Sequence, residues 1–535
     1  MANSAKRATW LILFLAVAAG LLAACGGPEG TEVSIPPGAE VGDLVLAPCT
    51  LSQAGVELAA DCGVLVVPEN RDNPGSWPIA LPVRRFRAEG EAPVEPIFWF
   101  AGGPGNSNLN FWPGPGLLAN HDVVLVGYRG IDGSRVLDCP EFSRVLRRSR
   151  EGDLFSDASL DNLAAAAGAC ATRLQGEGVD LRGYNLAQVV ADAEAVRQAL
   201  GYERIDLLGG SFGTRVVQAY GYLHPEVVHR TAQLAPVVPG RAYFPAEEID
   251  RILGLVADLC AQDEACSARS DDLAATMEAA LEEMPGRWLI FRLDRGKVLM
   301  GTWGQLYDRG GMATVVDAYL AAGQGDYSGF WGLQIGSNLT WPEIWPWGAF
   351  FAHRFSAAYD PSVDYRDTIQ PPGSILGSPA NAPLVAAEAW PYEPIAEELR
   401  RVQPSAVETL FVAGELDVAA PAQAVVEEML PAYAQGQLVL LPGMGHNDVQ
   451  SGRQPQALAQ LLVTFFDSGQ GDSTGYVYEA FDFEPPRRWL PPSPLPARVK
   501  LIVAVGLAIL LLPAGLFLLA SRLVLRDGAP AKEKG

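Results

Sequence analysis

The chain of 535 residues is long enough for two or three domains, and its 49% hydrophobic and 19% charged residues exclude a wholly disordered or collagen-like chain. It holds 39 Lys and Arg against 62 Asp and Glu, a formal net charge of −23. An acidic chain without a basic stripe repels phosphate backbones, so we do not expect nucleic acid as a partner. No Walker-type loop, His-x-x-x-His pair or Cys-x-x-Cys pair occurs, so we expect neither a metal ion nor a cofactor.

The amino terminus has the pattern of an exported precursor. Lys6 and Arg7 precede an apolar run that ends in the tetrad Leu22-Ala23-Ala24-Cys25. The pattern predicts a signal peptide over residues 1–24. The tetrad resembles the lipobox of bacterial lipoproteins, which implies that Cys25 becomes the lipidated first residue of the mature chain. The alternative is an uncleaved signal anchor with an incidental cysteine.

The carboxyl terminus predicts a membrane span. Residues 501–520 carry no charge, and twenty helical residues cover about 30 Å, the thickness of a bilayer core. We place a transmembrane helix at 499–521, after a Pro-rich linker at 483–498. The tail, 522–535, is basic, so the positive-inside rule puts it in the cytoplasm and the bulk of the chain on the extracellular side of the cell membrane. A lipid and a span together would anchor the chain twice.

Six cysteines remain besides Cys25, an even number that suggests disulfides in an exported chain. Six cysteines allow fifteen pairings. Proximity in the sequence favours Cys49–Cys62, Cys139–Cys170 and Cys260–Cys266. Some of the six could instead be buried free thiols.

Short apolar segments alternate with helical ones, which predicts an α/β fold with a parallel sheet and crossover helices. After a linker at 25–44, we expect the sheet domain at 45–239 and again at 386–482, interrupted by a mostly helical cap at 240–385. The candidate strands are Gly63–Pro68, Ile97–Phe100, Val123–Val126, Ile205–Leu208, Glu408–Ala413 and Gln437–Leu441. The candidate helices are Asn185–Leu200, Thr214–Leu223, Ala246–Cys260 and Asp271–Glu283.

The strongest chemical signal is the pentapeptide from Gly209 to Gly213, between a predicted strand and a predicted helix. Gly-x-Ser-x-Gly in that setting is a nucleophile elbow: a turn so tight that it needs glycines and lifts the Ser211 hydroxyl clear of the sheet. The amide of Phe212 then lies at a helix amino terminus, where it can stabilise an oxyanion.

A serine hydroxyl needs a base, and His446 follows a predicted strand on a glycine-bracketed loop. Asp417 follows another strand end and can orient the imidazole, with Glu415 as a rival acid. The order Ser, Asp, His along the chain is that of α/β-hydrolases. The other histidines have loop or helix-end settings and are interpreted as structural: His121, His224, His229 and His353.

A second oxyanion donor is expected after an earlier strand, and the glycine loop from Ala101 to Gly105 fits, although it could be an ordinary turn. The motifs Gly102–Gly105, Tyr128–Ser134, Gly209–Gly213, Gly414–Asp417 and Gly443–His446 together resemble the proline iminopeptidase and tripeptidyl aminopeptidase family of serine peptidases. The resemblance spans roughly residues 45–450 and implies an α/β-hydrolase fold. It implies Ser211 as nucleophile, His446 as base, Asp417 as orienting acid, Phe212 and Gly103 as oxyanion donors, and cleavage from a free amino terminus.

The substrate site is less specified. Phe100-Ala101, Gly127 and the Trp/Pro-rich stretch 341–394 depart from the family pattern. Glu247 and Glu248 are candidates to bind a substrate amine, or else ordinary charges at a helix start. The aromatic run at 341–351 could line a substrate pocket or form the core of the cap. We therefore expect an aminopeptidase working through an acyl-enzyme on a peptide substrate, with an esterase or lipase acting on esters, or a non-catalytic anchored binding protein, as alternatives.

Overall fold

The computed structural model describes residues 33–450 and 452–484. The predicted signal peptide, Cys25, the transmembrane helix and the cytoplasmic tail lie outside these residues. Within the described part, no helix is both long and apolar enough to cross a bilayer.

One large sheet of nine strands organises the fold, with strand order β1-β2-β3-β5-β4-β8-β9-β12-β13. The strands, with the short pairs β6–β7 and β10–β11, are β1 Leu44–Gln53, β2 Val56–Pro68, β3 Pro78–Phe86, β4 Ile97–Phe100, β5 Val123–Val126, β6 Arg129–Gly130, β7 Asp132–Val136, β8 Ile205–Gly210, β9 Val228–Leu234, β10 Arg287–Trp288, β11 Phe291–Arg292, β12 Glu408–Gly414 and β13 Gly436–Leu441.

The six strands from β5 to β13 of this order are mutually parallel, as the alternating pattern predicts. The first three strands instead form an antiparallel meander, and β3 joins β5 antiparallel. The candidate strand Gly63–Pro68 is therefore the end of the longer β2 and is not part of the parallel sheet. The central strands β5 and β8 are buried along their whole length, which is typical of a sheet covered on both faces.

The α-helices are α1 Pro115–Leu118, α2 Pro140–Leu146, α3 Asp157–Gly176, α4 Leu186–Leu200, α5 Gly213–Leu223, α6 Ala246–Gln262, α7 Glu264–Ser267, α8 Leu273–Glu282, α9 Arg295–Gln305, α10 Arg309–Ala322, α11 Ser328–Thr340, α12 Trp347–Ala358, α13 Ala422–Ala424, α14 His446–Gln450 and α15 Pro455–Ser468. A π-helical turn, Val425–Met429, continues α13. Short 3-10 segments lie at Asn108–Asn110, Leu181–Gly183, Trp341–Glu343, Glu397–Arg400 and Leu430–Ala432, and a longer one of ten residues at Pro379–Glu388.

Helix α4 shows how the sequence sets these boundaries. The Asn185 side chain accepts a hydrogen bond from the Gln188 amide at 3.1 Å and so caps the first turn. Gly201 ends the helix in the left-handed conformation, with φ of 74°, which glycine adopts without strain. Both ends agree with the predicted helix.

The insertion, residues 235–407 between β9 and β12, is mostly helical and carries α6 to α12. Its aromatic run is a packed core: Trp341, Trp347, Phe350 and Phe351 are buried. Trp345 stacks on Phe350 with ring centroids 4.8 Å apart. The run therefore stabilises the insertion, in agreement with the second of the two interpretations made from the sequence.

Three disulfides join neighbouring elements. Cys49–Cys62 links β1 to β2, Cys139–Cys170 links the start of α2 to α3, and Cys260–Cys266 links α6 to α7. Their Cα–Cα distances are 5.8, 5.5 and 5.2 Å, inside the usual range for a disulfide. The pairing is the one that sequence proximity favours.

Candidate active site

Ser211 sits on the sharp turn between β8 and α5. Its φ is +53°, a left-handed conformation that is uncommon for a residue with a side chain. The flanking glycines are needed for space, because a Cβ on Gly209 would lie 2.8 Å from the Gly213 carbonyl oxygen and one on Gly213 would collide with the Phe100 carbonyl. The Ser211 amide donates to the Leu234 carbonyl at 2.8 Å, which ties the turn to β9. This geometry is the nucleophile elbow that the pentapeptide predicts.

His446 and Asp417 meet Ser211 at the carboxyl ends of the parallel strands. Nε2 of His446 lies 2.9 Å from Oγ of Ser211, and Nδ1 lies 2.8 Å from Oδ2 of Asp417. The side chains of His446 and Asp417 are buried, whereas Ser211 is partly exposed. The three residues follow β8, β12 and β13, parallel strands of one sheet, in the order Ser, Asp, His that the sequence predicts.

The other oxygen of Asp417 is also satisfied. Oδ1 accepts hydrogen bonds from the amides of Ala419 at 2.8 Å and Ala420 at 2.7 Å. These contacts fix the orientation of the carboxylate toward the imidazole.

Glu415, the rival acid, has a different place. Its Oε2 accepts the Gly443 amide at 2.8 Å, so it holds the loop that carries His446. Asp448 fastens the same loop from the other side, accepting the amides of Gly445 at 2.9 Å and Arg309 at 3.0 Å. Burial raises the pKa of Asp448. The histidine loop is thus attached both to β12 and to the insertion.

Tyr307 was not predicted from the sequence and comes from the insertion. Its ring meets the His446 imidazole edge-on, with centroids 5.1 Å apart. Burial raises the pKa of Tyr307 to about 12, so its hydroxyl is neutral at physiological pH. Its carbonyl accepts the Asn447 amide at 2.7 Å, which adds a second tie to the histidine loop.

The glycine loop after β4 lies against the serine. A Cβ on Gly102 would be 2.8 Å from the Ser211 Cβ, so only glycine permits this approach. Buried Asn108 supports the loop by accepting the Ala101 amide at 2.6 Å and donating to the Val126 carbonyl at 2.7 Å. Gly103 and Phe212 line the same cleft as Ser211.

The motif Tyr128–Ser134 supports that loop from below. Asp132 accepts hydrogen bonds from the Ser107 hydroxyl at 2.6 Å and from the Tyr128 amide at 3.0 Å. The Tyr128 hydroxyl donates to the Ala101 carbonyl at 3.1 Å. Arg129 forms a buried, bidentate pair with Asp192, both distances being 2.7 Å. These residues position the loop and do not themselves line the cleft.

The cleft is narrow: its cavity volume is about 50 Å³, below the usual range for small-molecule sites. Its wall combines the Ser211 turn and Arg215 of α5 with residues of the insertion, among them Arg241, Phe244, Glu248, Tyr307 and Arg354. None of the five aromatic residues at 341–351 is among the lining residues. Within residues 33–450 and 452–484, no three His, Cys, Asp or Glu side chains are grouped to hold a metal ion.

The two candidate amine-binding residues are placed differently. Glu248 is half-buried, lines the cleft and pairs with Arg241 at 2.8 Å. Glu247 is exposed at the start of α6 and is not among the lining residues. The remaining histidines lie away from the cleft wall; His353, for example, is buried beside the Arg129 carbonyl, 3.0 Å from its Nε2.

An elbow serine, a histidine and an aspartate that follow parallel strands of this sheet define an α/β-hydrolase. Two family models agree: one described as alpha/beta hydrolase fold matches residues 95–307, and one described as TAP-like protein matches residues 376–477. The chain has the α/β-hydrolase fold, and these matches support the resemblance to serine peptidases seen in its motifs.

Two curated relatives are peptidases by name. The serine protease Hip1 of Mycobacterium tuberculosis is 29% identical over 215 residues, 37% of this chain and 41% of the relative. The tripeptidyl aminopeptidase of Streptomyces lividans is 27% identical over 199 residues, 34% of this chain and 36% of the relative. The matches therefore span about two fifths of the length of these relatives. A solved serine hydrolase from Cycloclasticus zankles covers 77% of this chain and all of its own, at 13% identity and a TM-score of 0.36.

Proposed function

We propose that the protein is a serine hydrolase that removes residues or short peptides from a free peptide amino terminus. The observation that carries the proposal is the continuous contact from Asp417 through His446 to Ser211, which lines a cleft. The names of the two curated relatives support a peptide as the substrate. The triad alone supports hydrolysis of an acyl group and does not select a peptide over an ester.

The geometry supports a two-step acyl transfer. Asp417 accepts a hydrogen bond from Nδ1–H of His446, which leaves the Nε2 lone pair facing the Ser211 hydroxyl. Ser211 Oγ attacks the substrate carbonyl carbon as Nε2 takes its proton, and the resulting imidazolium then protonates the leaving amine. Water next attacks the acyl-enzyme, again losing a proton to Nε2, and the carboxylic acid product leaves with Ser211 restored.

In each step negative charge develops on the substrate carbonyl oxygen. The amide of Phe212 begins α5, and the amide of Gly103 belongs to the glycine loop; we assign these two as the oxyanion donors. The Asn108 and Asp132 contacts hold the loop before substrate arrives, so that little reorganisation is needed during reaction.

Glu248 is the better placed of the two candidate residues for the substrate amine. It lines the cleft, and Glu428 can share Arg241 with it, so an incoming ammonium group can compete for its carboxylate. Selection for a free amine requires such a carboxylate because an ammonium group without a partner is costly to desolvate. Glu247 lacks this access to the cleft.

We also propose that the chain is exported and held at the cell membrane. The support is the signal-like sequence ending at Cys25 and the uncharged stretch at 501–520. Three disulfides between neighbouring elements fit an oxidising compartment.

The test compares a short alanyl or prolyl peptide anilide that has a free amino terminus with its acetylated twin. The full chain in detergent is used, with Ser211→Ala as the blank. We expect cleavage of the free form only. Glu248→Gln should raise KM for the free peptide by about tenfold, the loss expected for one charge-assisted contact, while Glu247→Gln should leave it unchanged.

Other outcomes point elsewhere. Cleavage of a simple ester but of neither peptide would make the protein an esterase on the same triad. Failure of a fluorophosphonate to label Ser211 would overturn hydrolysis altogether and leave a non-catalytic binding protein.

A further inference from the structure

The charge of the cleft wall is unusual for a site that is expected to take an ammonium group. Three arginines line it, Arg215, Arg241 and Arg354, against the one carboxylate of Glu248. Arg241 is balanced, because it pairs with Glu248 at 2.8 Å and also with Glu428. The other two arginines form no salt bridge with any carboxylate of the described residues.

Arg215 is 3% exposed and incompletely bonded. Its Nη2 donates to the Val238 carbonyl at 3.1 Å and to the Arg241 carbonyl. Its Nε and Nη1 have no acceptor within the described part of the chain. Burial, followed by the charges of Arg354 and Arg241, holds the pKa of Arg215 below its usual value near 12.5. A buried cation with two unused donors is costly unless an anion joins it.

Arg354 belongs to the insertion, on α12, and is 6% exposed. It donates to the Ala242 carbonyl at 2.9 Å through Nε, and its guanidinium lies 4.9 Å from the centre of the Phe244 ring. Its partners are thus a carbonyl and a ring face, both neutral. The charge of Arg354, like that of Arg215, is left uncompensated.

Both arginines line the same cleft as the reacting serine. Arg215 follows Ser211 by four residues and lies in the first turn of α5, the helix that the serine turn leads into. Tyr307 of the insertion, whose ring contacts His446, has a pKa raised by burial to about 12 and contributes no anion. A carboxylate on the acyl part of a substrate would therefore face the guanidinium groups of Arg215 and Arg354. The one carboxylate of the cleft wall, Glu248, is already paired with Arg241.

We propose that Arg215 and Arg354 form an anion subsite that binds a carboxylate on the acyl part of the substrate, so that acidic acyl groups are preferred at Ser211. The proposal rests on the proposed role of Ser211 as the nucleophile, and not on the choice between peptide and ester. The two guanidinium groups also donate hydrogen bonds to backbone carbonyls of the segment 238–242 and so stabilise its position. A purely structural role of that kind would give no preference between charged and neutral substrates.

The first experiment needs no variant. It compares kcat/KM for the 4-nitrophenyl monoester of adipate with that for methyl 4-nitrophenyl adipate, which has the same chain without the charge. We expect the charged ester to be preferred by about 10- to 100-fold, the range for a hydrogen-bonded charge. Ala-Ala-Glu and Ala-Ala-Gln anilides form the matching peptide pair. Equal rates in the ester pair overturn the subsite.

Variants then assign the preference to residues. In Arg215→Gln and Arg354→Gln the ratio of the two kcat/KM values should fall toward one, and the lysine variants should restore part of it. The ratio is insensitive to a general loss of active protein, which labelling of Ser211 by a fluorophosphonate measures separately. Arg269→Gln, at an exposed ion pair with Asp317, is the matched control and should change neither rate nor ratio.

Failure of this proposal and failure of the peptidase function give different results. Discrimination between the esters without any peptide cleavage retains the subsite and rejects the peptidase. A preference that follows a carboxylate on the leaving phenol, instead of the acyl chain, overturns the acyl-side placement. If neither ester is hydrolysed, calorimetric titration of Ser211→Ala protein with adipate decides: no binding overturns the subsite, and binding that Arg354→Gln abolishes supports it.

Discussion

Asp417 and Glu415 are two residues apart on one turn, yet their carboxylates hold different parts of the site. Asp417 lies 2.8 Å from Nδ1 of His446, whereas Glu415 accepts the Gly443 amide at 2.8 Å. The turn after β12 thus supplies one acid to the imidazole and another to the loop beneath it. The distinction matters because the sequence leaves both acids open as partners of the histidine.

The first prediction separates these two acids. Asp417→Asn should lower kcat by about 10⁴-fold, because an amide facing Nδ1 favours the wrong imidazole tautomer. Glu415→Gln should have a small effect, since the amide oxygen of glutamine can still accept the Gly443 N–H. Steady-state kinetics on any cleaved substrate, with the melting temperature as a check of folding, measures both. Similar losses in the two variants would contradict the assignment.

The second prediction concerns the support of the glycine loop. Asp132→Asn keeps one acceptor for Ser107 but turns an N–H toward the Tyr128 amide, so the loop loses a buried hydrogen bond. We expect the free energy of unfolding to fall by about 1–3 kcal/mol and kcat to fall more than KM rises, because the oxyanion donors are displaced.

The matched control makes the same exchange at Asp161, which is 68% exposed and pairs with Arg366 on the surface. Asp161→Asn should leave stability within about 0.5 kcal/mol and kcat unchanged. Asp132→Asn with normal kcat and normal stability would show that the Tyr128–Ser134 motif does not position the loop.

The sequence could predict the sheet residues of the site because these follow strand ends. The strands Ile97–Phe100 and Val123–Val126 have the predicted bounds. The glycines around Ser211 indicate the tight turn, because the close backbone contacts there leave no space for a Cβ atom. The direction of strand pairing could not be predicted in the same way. Gly63–Pro68 has the buried apolar pattern of a parallel strand, although β2, to which it belongs, pairs antiparallel. A hydrophobic run records burial, not the direction of its neighbour.

The cleft residues of the insertion could not be predicted in this way. Tyr307 and Arg354 lie 96 and 143 residues beyond Ser211 on loops and helices with no spacing that relates them to the serine. Only tertiary packing places them at one wall. Arg215 could have been found from the sequence, because it lies in the first turn of the helix that follows Ser211. A charged residue among the buried residues of that helix is unusual and indicates a specific role.

The third prediction ranks the disulfides by the length of chain they close. In the chain-entropy model, closing 31 residues with Cys139–Cys170 constrains the unfolded chain by about 4 kcal/mol, and closing 6 residues with Cys260–Cys266 by about 2 kcal/mol. The double variant Cys139→Ser/Cys170→Ser should therefore lose more stability than Cys260→Ser/Cys266→Ser. Denaturant unfolding of the two proteins tests the order, and the opposite order would mean that native-state strain or packing dominates.

The fourth prediction concerns stability at low pH and His353. This side chain is 2% exposed, its Nε2 lies 3.0 Å from the Arg129 carbonyl, and its Nδ1 has no partner among the described residues. Burial lowers the pKa of His353 to about 4, since a proton on Nδ1 would find no acceptor. The unfolded chain, with a histidine pKa near 6.5, therefore binds more protons between pH 6.5 and 4 than the folded chain does.

Because the unfolded chain binds more protons, the free energy of unfolding falls as the pH falls through this range. The stabilisation is fully present above about pH 6.5 and is lost as the pH falls toward 4, by about 3 kcal/mol at most. In His353→Gln this part of the slope should disappear, so the variant, although weaker than the parent at pH 7, should lose less stability between pH 7 and 4.5. Urea unfolding at several pH values measures both slopes. Parallel slopes would mean that the buried imidazole does not contribute to acid unfolding, and His229→Gln, at a partly exposed site beside Asp206, serves as the comparison.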